Sequence, residues 1–352
     1  MKKKSGIELL RFCAAISVLI YHFQVFFFPH NNITSINFNL DEYPLSFFLY
    51  YFYKYGFVGV NIFFVISGYI FSVRYLMNSY TISLKEYSLN RLSRLYPLHF
   101  LTLIVVLLLQ TISVFFFEKQ ILYQNNNFYH FLLNLFFIQA WGFQDGYSFN
   151  GPSWSISIEI IAYSLFFFFI IKKKFNFFQI LIIFISLVLL NKLTNIKSFF
   201  YDLGFKVNII FLLSLFFMGI MIFFLFKKKF FRKFSIIFSF VFLIYSFIGN
   251  FKIIFFCAGI LILLISLEKY FNKKIKIFFN YLGDLSYGIY MWHIPIAIAI
   301  IIITALSSLN IKNLNSLQFL LFFITSSVAI SALSFKFYEI KIKTFMRNYF
   351  KK

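Results

Sequence analysis

Long apolar runs separated by short polar and basic clusters set the pattern of this chain. Near-continuous apolar stretches cover residues 9–28, 50–72, 97–117, 154–171, 177–190, 207–226, 234–249, 252–267, 286–306 and 317–338. Most approach the roughly 20 residues that an α-helix needs to cross a bilayer. A further run, 128–141, has 14 residues, about 21 Å of helix and short of the roughly 30 Å hydrocarbon core. Runs 177–190 and 252–267 are also short, so their ends are soft. The first run is too long for a signal-peptide core, and no small-residue cleavage site follows it. The pattern predicts an all-α polytopic membrane bundle of about ten transmembrane helices, with 128–141 a re-entrant or interfacial piece on the outer side. No internal repeat, linker or extramembrane domain is evident, so 1–352 reads as a single membrane domain.

Composition agrees. The chain is 61% hydrophobic and 12% charged, against about 45–50% and about 25% in soluble domains. That excludes a soluble enzyme, a disordered tail and a coiled coil. The net charge of +22 suggests nucleic acid only until the membrane is considered. In a membrane protein it means cytoplasmic loops loaded with Lys and Arg, and no nucleic-acid partner is expected. If 128–141 does not cross, 24 of the 33 basic residues fall inside and 7 outside, with both termini cytoplasmic. If it does cross, the distribution becomes 12 inside and 19 outside. The positive-inside rule selects the ten-helix version. Cys13 and Cys257 sit in apolar runs with neither disulfide nor metal-ligand spacing, and no metal is expected.

Ionisable residues inside apolar runs mark function by default. The first run carries Arg11 and His22. At about 100° and about 1.5 Å per residue, their eleven-residue separation puts both on nearly one helix face, roughly 16.5 Å apart. Either Arg11 snorkels and His22 packs in the bundle, or both serve a site. Glu159 lies in the fourth run at a depth similar to His22. A carboxylate that orients an imidazole is a general-base arrangement; the alternative is Glu159 bonded to Ser155, Ser157 or backbone. Arg91 and Arg94, three apart, share a helix face. With Arg74 and Lys85 they either hold the phosphates of an anionic cofactor or form an ordinary positive-inside belt. The segment Asn150–Trp154 opens the helix bearing Glu159. It serves either chain entry or acceptor binding, through Asn150, Ser153, Trp154 and Ser157. Tyr290, Trp292 and His293 fall in the inner part of the ninth run, where His293 and Tyr290 are either packing residues or secondary catalytic candidates. Asp202, Glu268 and Glu339 read as solvated. No GxxxxGK[ST] phosphate loop or HExxH metal pair is present.

These residues, taken in order, resemble the acyltransferase-3 family of integral membrane O-acyltransferases that modify bacterial surface glycans. Arg11 and His22 match its Arg-x10-His motif, and Gly59 to Tyr69 (GVNIFFVISGY) its second-helix signature, with Asn61 where an acidic residue is common. Arg91-x-x-Arg94 with Tyr96-Pro97 matches its basic motif. Asn150 to Glu159, Leu285 to Pro295, and Tyr338-Glu339 match three later ones. The resemblance implies transfer of an acyl group, usually acetyl, from cytoplasmic acyl-CoA to an acceptor hydroxyl at the outer face of the bacterial inner membrane. His22 would be the base and Glu159 its orienting partner. Arg11 would hold the CoA or stabilise developing charge, and Arg91, Arg94 and Arg74 would grip the CoA. An acyl-enzyme on Ser or Tyr stays open. The implied partners are the lipid bilayer, a glycan acceptor (lipopolysaccharide, capsule or exopolysaccharide) and a separate glycan-assembly protein. Some members carry a soluble hydrolase-like domain after the bundle, and this chain, ending soon after its last run, is expected to lack one. Two rival classes are a flippase or transporter for a lipid-linked sugar and a membrane glycan polymerase. Neither would require acetyl-CoA.

Overall fold

The structure, a computed structural model, describes residues 3–27, 39–77, 82–144, 146–193, 209–248, 251–307 and 314–350. Among them all regular elements are helical. They are α1 (Ser5–Tyr21), α2 (Ser46–Tyr55), α3 (Val58–Leu76), α4 (Leu84–Phe117), α5 (Phe128–Leu135), α6 (Trp154–Leu165), α7 (Phe177–Leu193), α8 (Ile209–Lys227), α9 (Lys229–Ile248), α10 (Lys252–Leu267), α11 (Lys273–Leu306), α12 (Leu317–Ser334) and α13 (Ile340–Tyr349). Nine helical runs among the described residues are long and apolar enough to cross a membrane. The tenth expected span, α7, has 17 residues, about 26 Å. The chain is a multi-pass helical membrane protein. Lys2, Lys197, Asp202, Lys206, Lys312, Lys351 and Lys352 lie outside the described residues.

Three expected boundaries are corrected. The run 50–72 is two helices, α2 and α3. They part at Gly56, where an added Cβ would sit 2.3 Å from the Ser17 carbonyl oxygen. Helix α4 starts at Leu84, well before the apolar run. Ser83 caps it by accepting from the Glu86 amide at 3.1 Å, and Ser-x-x-Glu is the capping-box sequence. At 34 residues, α4 is about 51 Å long, so Arg91 and Arg94 stand on a polar helical extension rather than in a loop. Helix α11 likewise begins 13 residues before its apolar run, at Lys273. By contrast, the ambiguous 128–141 yields only the eight-residue α5, about 12 Å and too short to cross.

The chain divides into two compact units. The first comprises Met1–Ala14, Val58–Ile82 and Ile158–Asp284. Its centre is the crossing of α3 and α8, made by glycines. A Cβ on Gly68 would meet the Phe216 carbonyl oxygen at 1.9 Å, and one on Gly219 the Val65 carbonyl oxygen at 2.0 Å. Small residues that let backbones touch replace the hydrophobic driving force that lipid removes. Beside the crossing, Phe71 stacks on Tyr163 at 4.3 Å. The N-terminal segment is pinned here as well. Lys3 pairs with Asp284, and Lys4 donates to the Tyr69 hydroxyl at 2.5 Å. The Gly6 amide donates to Glu268 at 2.8 Å. Glu268, expected to be solvated, is therefore a chain-end cap, and Glu339 accepts from Ser334 at 3.3 Å.

The second unit comprises Ala15–Phe57, Ser83–Ser157 and Leu285–Lys352. An aromatic cluster holds the 3-10 turn His22–Phe26 against α12: Phe26 meets Phe319 at 4.8 Å and Phe323 at 5.0 Å. Pro97 interrupts α4. Near it, Tyr287 donates to the Leu95 carbonyl at 2.6 Å and Tyr338 to the Pro97 carbonyl at 3.2 Å.

Candidate active site

Two histidines meet in the second unit. His22 opens the 3-10 turn that follows α1, and His293 lies in the middle of α11. Their ring centroids are 4.8 Å apart. His293, read from the sequence as lying in the inner part of the ninth run, stands in the structure against His22. It is the twenty-first residue of α11. Each imidazole is oriented by the helix that carries it. His22 Nδ1 donates to the Val18 carbonyl at 2.9 Å, and His293 Nδ1 to the Ile289 carbonyl at 3.2 Å. A carbonyl can only accept, so in each neutral ring Nδ1 carries the hydrogen and Nε2 the basic lone pair. The orienting place at Nδ1, expected for Glu159, is taken by Val18. His293 is fully buried, and its Nε2 has no hydrogen-bond partner.

Next to this pair, the segment 150–157 is anchored to α11 and α4. Asn150, fully buried, donates through Nδ2 to the Met291 carbonyl at 2.9 Å and to Thr102 Oγ1 at 3.2 Å. Tyr290 donates to the Pro152 carbonyl at 2.7 Å and lies 2.9 Å from Ser155 Oγ. Its ring is 5.9 Å from that of His293. At Gly151 an added Cβ would lie 2.4 Å from the Tyr123 hydroxyl, so a larger residue there would require the Tyr123 ring to shift. Burial pushes the Tyr123 phenol well above its ordinary range, with Tyr147 adding to the effect, so Tyr123 stays protonated. Ser153 donates to Asn134 at 3.3 Å and accepts from Gln139 at 3.1 Å. Ser157 accepts from the Ala140 amide, and its carbonyl accepts from the Trp141 indole. Trp154 is half-buried. Asn150, Ser153, Tyr290 and His293 are thus brought together, while Ser157 fastens the 140–141 segment.

The other expected residues divide between the two units. In the first unit, Arg11 pairs with Glu8 at 2.8 Å, with only 12% and 9% of their side chains exposed. Glu159 accepts from Ser67 at 2.8 Å and from Tyr163 at 2.6 Å. Arg74, also in this unit, is exposed and lies over the Tyr75 ring at 5.5 Å. Arg91 and Arg94 belong to the second unit. Arg91 is buried, Arg94 half-buried and Lys85 exposed.

Glu8, Tyr163, His99, Thr102, Asn134 and Gln139 were given no role from the sequence, and Ser67 entered only within the second-helix signature. Glu8 carried a usable signal, since it stands three residues before Arg11, where charges on one helix face meet. The neutral polar residues carried none, because they resemble ordinary helix and loop positions until the chain folds.

Neither the comparison with curated proteins nor that with solved structures gave a match. The sequence model of the acyltransferase-3 family, described as an acyltransferase domain, matches residues 4–336. The chain belongs to that family and is a membrane acyltransferase.

Proposed function

We propose that this acyltransferase moves an acyl group, acetyl in the simplest case, from cytoplasmic acyl-CoA to a hydroxyl of a surface polysaccharide or lipid-linked glycan. The setting is the outer face of a bacterial inner membrane. The observation that carries the proposal is the His22–His293 pair. An imidazole whose Nδ1 is fixed on a carbonyl presents its Nε2 lone pair as a positioned general base. His22 Nε2 takes the proton of the acceptor hydroxyl as its oxygen bonds to the acyl carbonyl carbon. The carbon–sulfur bond then breaks, and the proton passes to the departing CoA thiolate. The products are the ester and CoA thiol. His293 stands against His22 and is the secondary catalytic candidate.

The grip on CoA falls to Arg91 and Arg94 on the polar extension of α4, whose guanidinium forks suit phosphate oxygens. Arg74 is a further cationic candidate. Arg11 and Glu159 are carried as charged groups whose neutral variants, Arg11→Met and Glu159→Gln, are expected to lower transfer.

The test is incorporation of radiolabelled acetyl from acetyl-CoA into glycan by membranes containing wild type, His22→Ala, His293→Ala or Arg94→Ala. Loss of a positioned base lowers turnover by about 10²–10⁴-fold, so His22→Ala is expected to fall in that range. Arg94→Ala is expected mainly to raise the acetyl-CoA KM. Equal labelling by wild type and His22→Ala at equal protein level would overturn the base role. No acyl-CoA-dependent labelling by folded wild type would point instead to a carrier or polymerase of lipid-linked sugar.

A further inference from the structure

Among the buried side chains of the second unit that leave a polar atom without a hydrogen-bond partner are His99 (Nδ1), Gln139 (Oε1), Asn150 (Oδ1) and His293 (Nε2). Each residue is at most 1% exposed. Their donating atoms are already engaged. His99 Nε2 donates to the Asn134 carbonyl at 2.8 Å, and Gln139 Nε2 to the Ser153 carbonyl at 3.2 Å. Asn150 Nδ2 and His293 Nδ1 are held on Met291 and Ile289 as described. Because every one of those partners is a carbonyl, the amide orientations and neutral-ring tautomers are fixed. All four orphan atoms are therefore acceptors.

They also belong to one connected network. Gln139 joins Ser153, and Ser153 joins Asn134. Asn134 joins His99, and the His99 carbonyl accepts from Thr102 at 3.1 Å. Thr102 joins Asn150, and Asn150 joins Met291, two residues before His293. Buried acceptors without donors are rare and costly, and native proteins satisfy them with water or a ligand. Acceptors concentrated on one network suit a ligand that offers several O–H groups from one rigid frame.

Resting on the acyltransferase reading above, we propose that this network is the acceptor subsite. It holds a sugar ring by letting the ring's hydroxyls donate to Asn150, Gln139 and His99, which places a neighbouring hydroxyl at the histidine pair. His99, Gln139 and Asn150 are then specificity-determining residues for a polyol acceptor.

The experiment uses the full chain in lipid nanodiscs with acetyl-CoA and a panel of methyl hexopyranosides with their monodeoxy analogues. Acetyl transfer gives KM values. Binding is followed separately by intrinsic fluorescence, since all three tryptophans, Trp141, Trp154 and Trp292, lie in this unit. Asn150→Ala and Gln139→Ala are expected to raise the acceptor KM about tenfold, in line with one hydrogen bond each, and to leave the acetyl-CoA KM unchanged. The deoxy analogue lacking the matching hydroxyl should show the same penalty in wild type and no further penalty in the variant. Unchanged acceptor KM in folded variants, or a rise in the acetyl-CoA KM instead, would overturn the subsite and leave the transferase reading standing. If the variants fold poorly, wild type decides: deoxy analogues that all bind like their parent overturn the subsite. Neither transfer to nor binding of any sugar would overturn the sugar-acceptor reading together with the subsite.

Discussion

Charge at single positions separates holding the bundle together from doing chemistry. Arg11 and Glu8 neutralise each other within α1, and both are mostly buried. Removing one partner of such a pair strands the other charge, a loss of about 3–5 kcal/mol, whereas replacing both is far milder. Glu8→Ala is therefore expected to lower the thermal midpoint in nanodiscs sharply, and Glu8→Ala combined with Arg11→Met to recover most of it. An equal or larger loss in the double variant would show that Arg11 is held by something other than Glu8. Of the residues in the sequence motifs, His22 was legible as special because a titratable group in an apolar run is rare. Its neighbour His293 was legible only as a second such group. That the two rings meet depends on how the turn after α1 packs against α11, which neither segment encodes by itself.

Elements in this protein are joined by what they omit. The α3–α8 crossing brings backbone against backbone at Gly68 and Gly219, where an added methyl would overlap carbonyl oxygens that cannot move independently. Gly259 differs in degree: a Cβ there would meet the Leu243 side chain at 2.9 Å, which can change rotamer, and its nearest backbone atom, the Ser239 carbonyl oxygen, is 3.1 Å away rather than about 2 Å. Gly68→Ala and Gly219→Ala should each destabilise by at least the roughly 1–3 kcal/mol of an overpacked core, and Gly259→Ala by less. Thermal melts of the three variants check the order, and a Gly259→Ala loss as large as the other two would refute it. The N-terminus of α4 gives a second case. Ser83→Ala removes the cap on the Glu86 amide, which should destabilise that end by about 1 kcal/mol. Faster hydrogen exchange at residues 84–87 would register it, and exchange unchanged from wild type would argue against the cap. This cap was readable in the sequence as Ser-x-x-Glu; the break at Gly56 was not, because a glycine within an apolar run marks either a close approach or nothing.

At the scale of the whole molecule, basic residues assign sidedness. With 24 of 33 in one set of connections and 7 in the other, the positive-inside rule predicts both termini and the polar start of α4 in the cytoplasm. In a background of Cys13→Ser and Cys257→Ser, a membrane-impermeant maleimide is expected to label Lys119→Cys in intact cells. Lys85→Cys should label only after permeabilisation. The reverse pattern would invert the topology and with it the side from which CoA arrives.

The sequence by itself determined the solvent, the helical class, the approximate spans and the family. Each follows from quantities that are local or additive: apolar length, basic-residue counts and short motifs in order. Only the tertiary structure decided which polar groups meet. It put His22 beside His293, joined Asn150 to Met291, gave Glu159 to Ser67 and Tyr163, and left four buried acceptors on one network. The physical reason is that lipid rewards apolar length equally along every span. Polar groups find one another only where close-packed helices fix both their depth and their rotation, and no single segment encodes either for its neighbour.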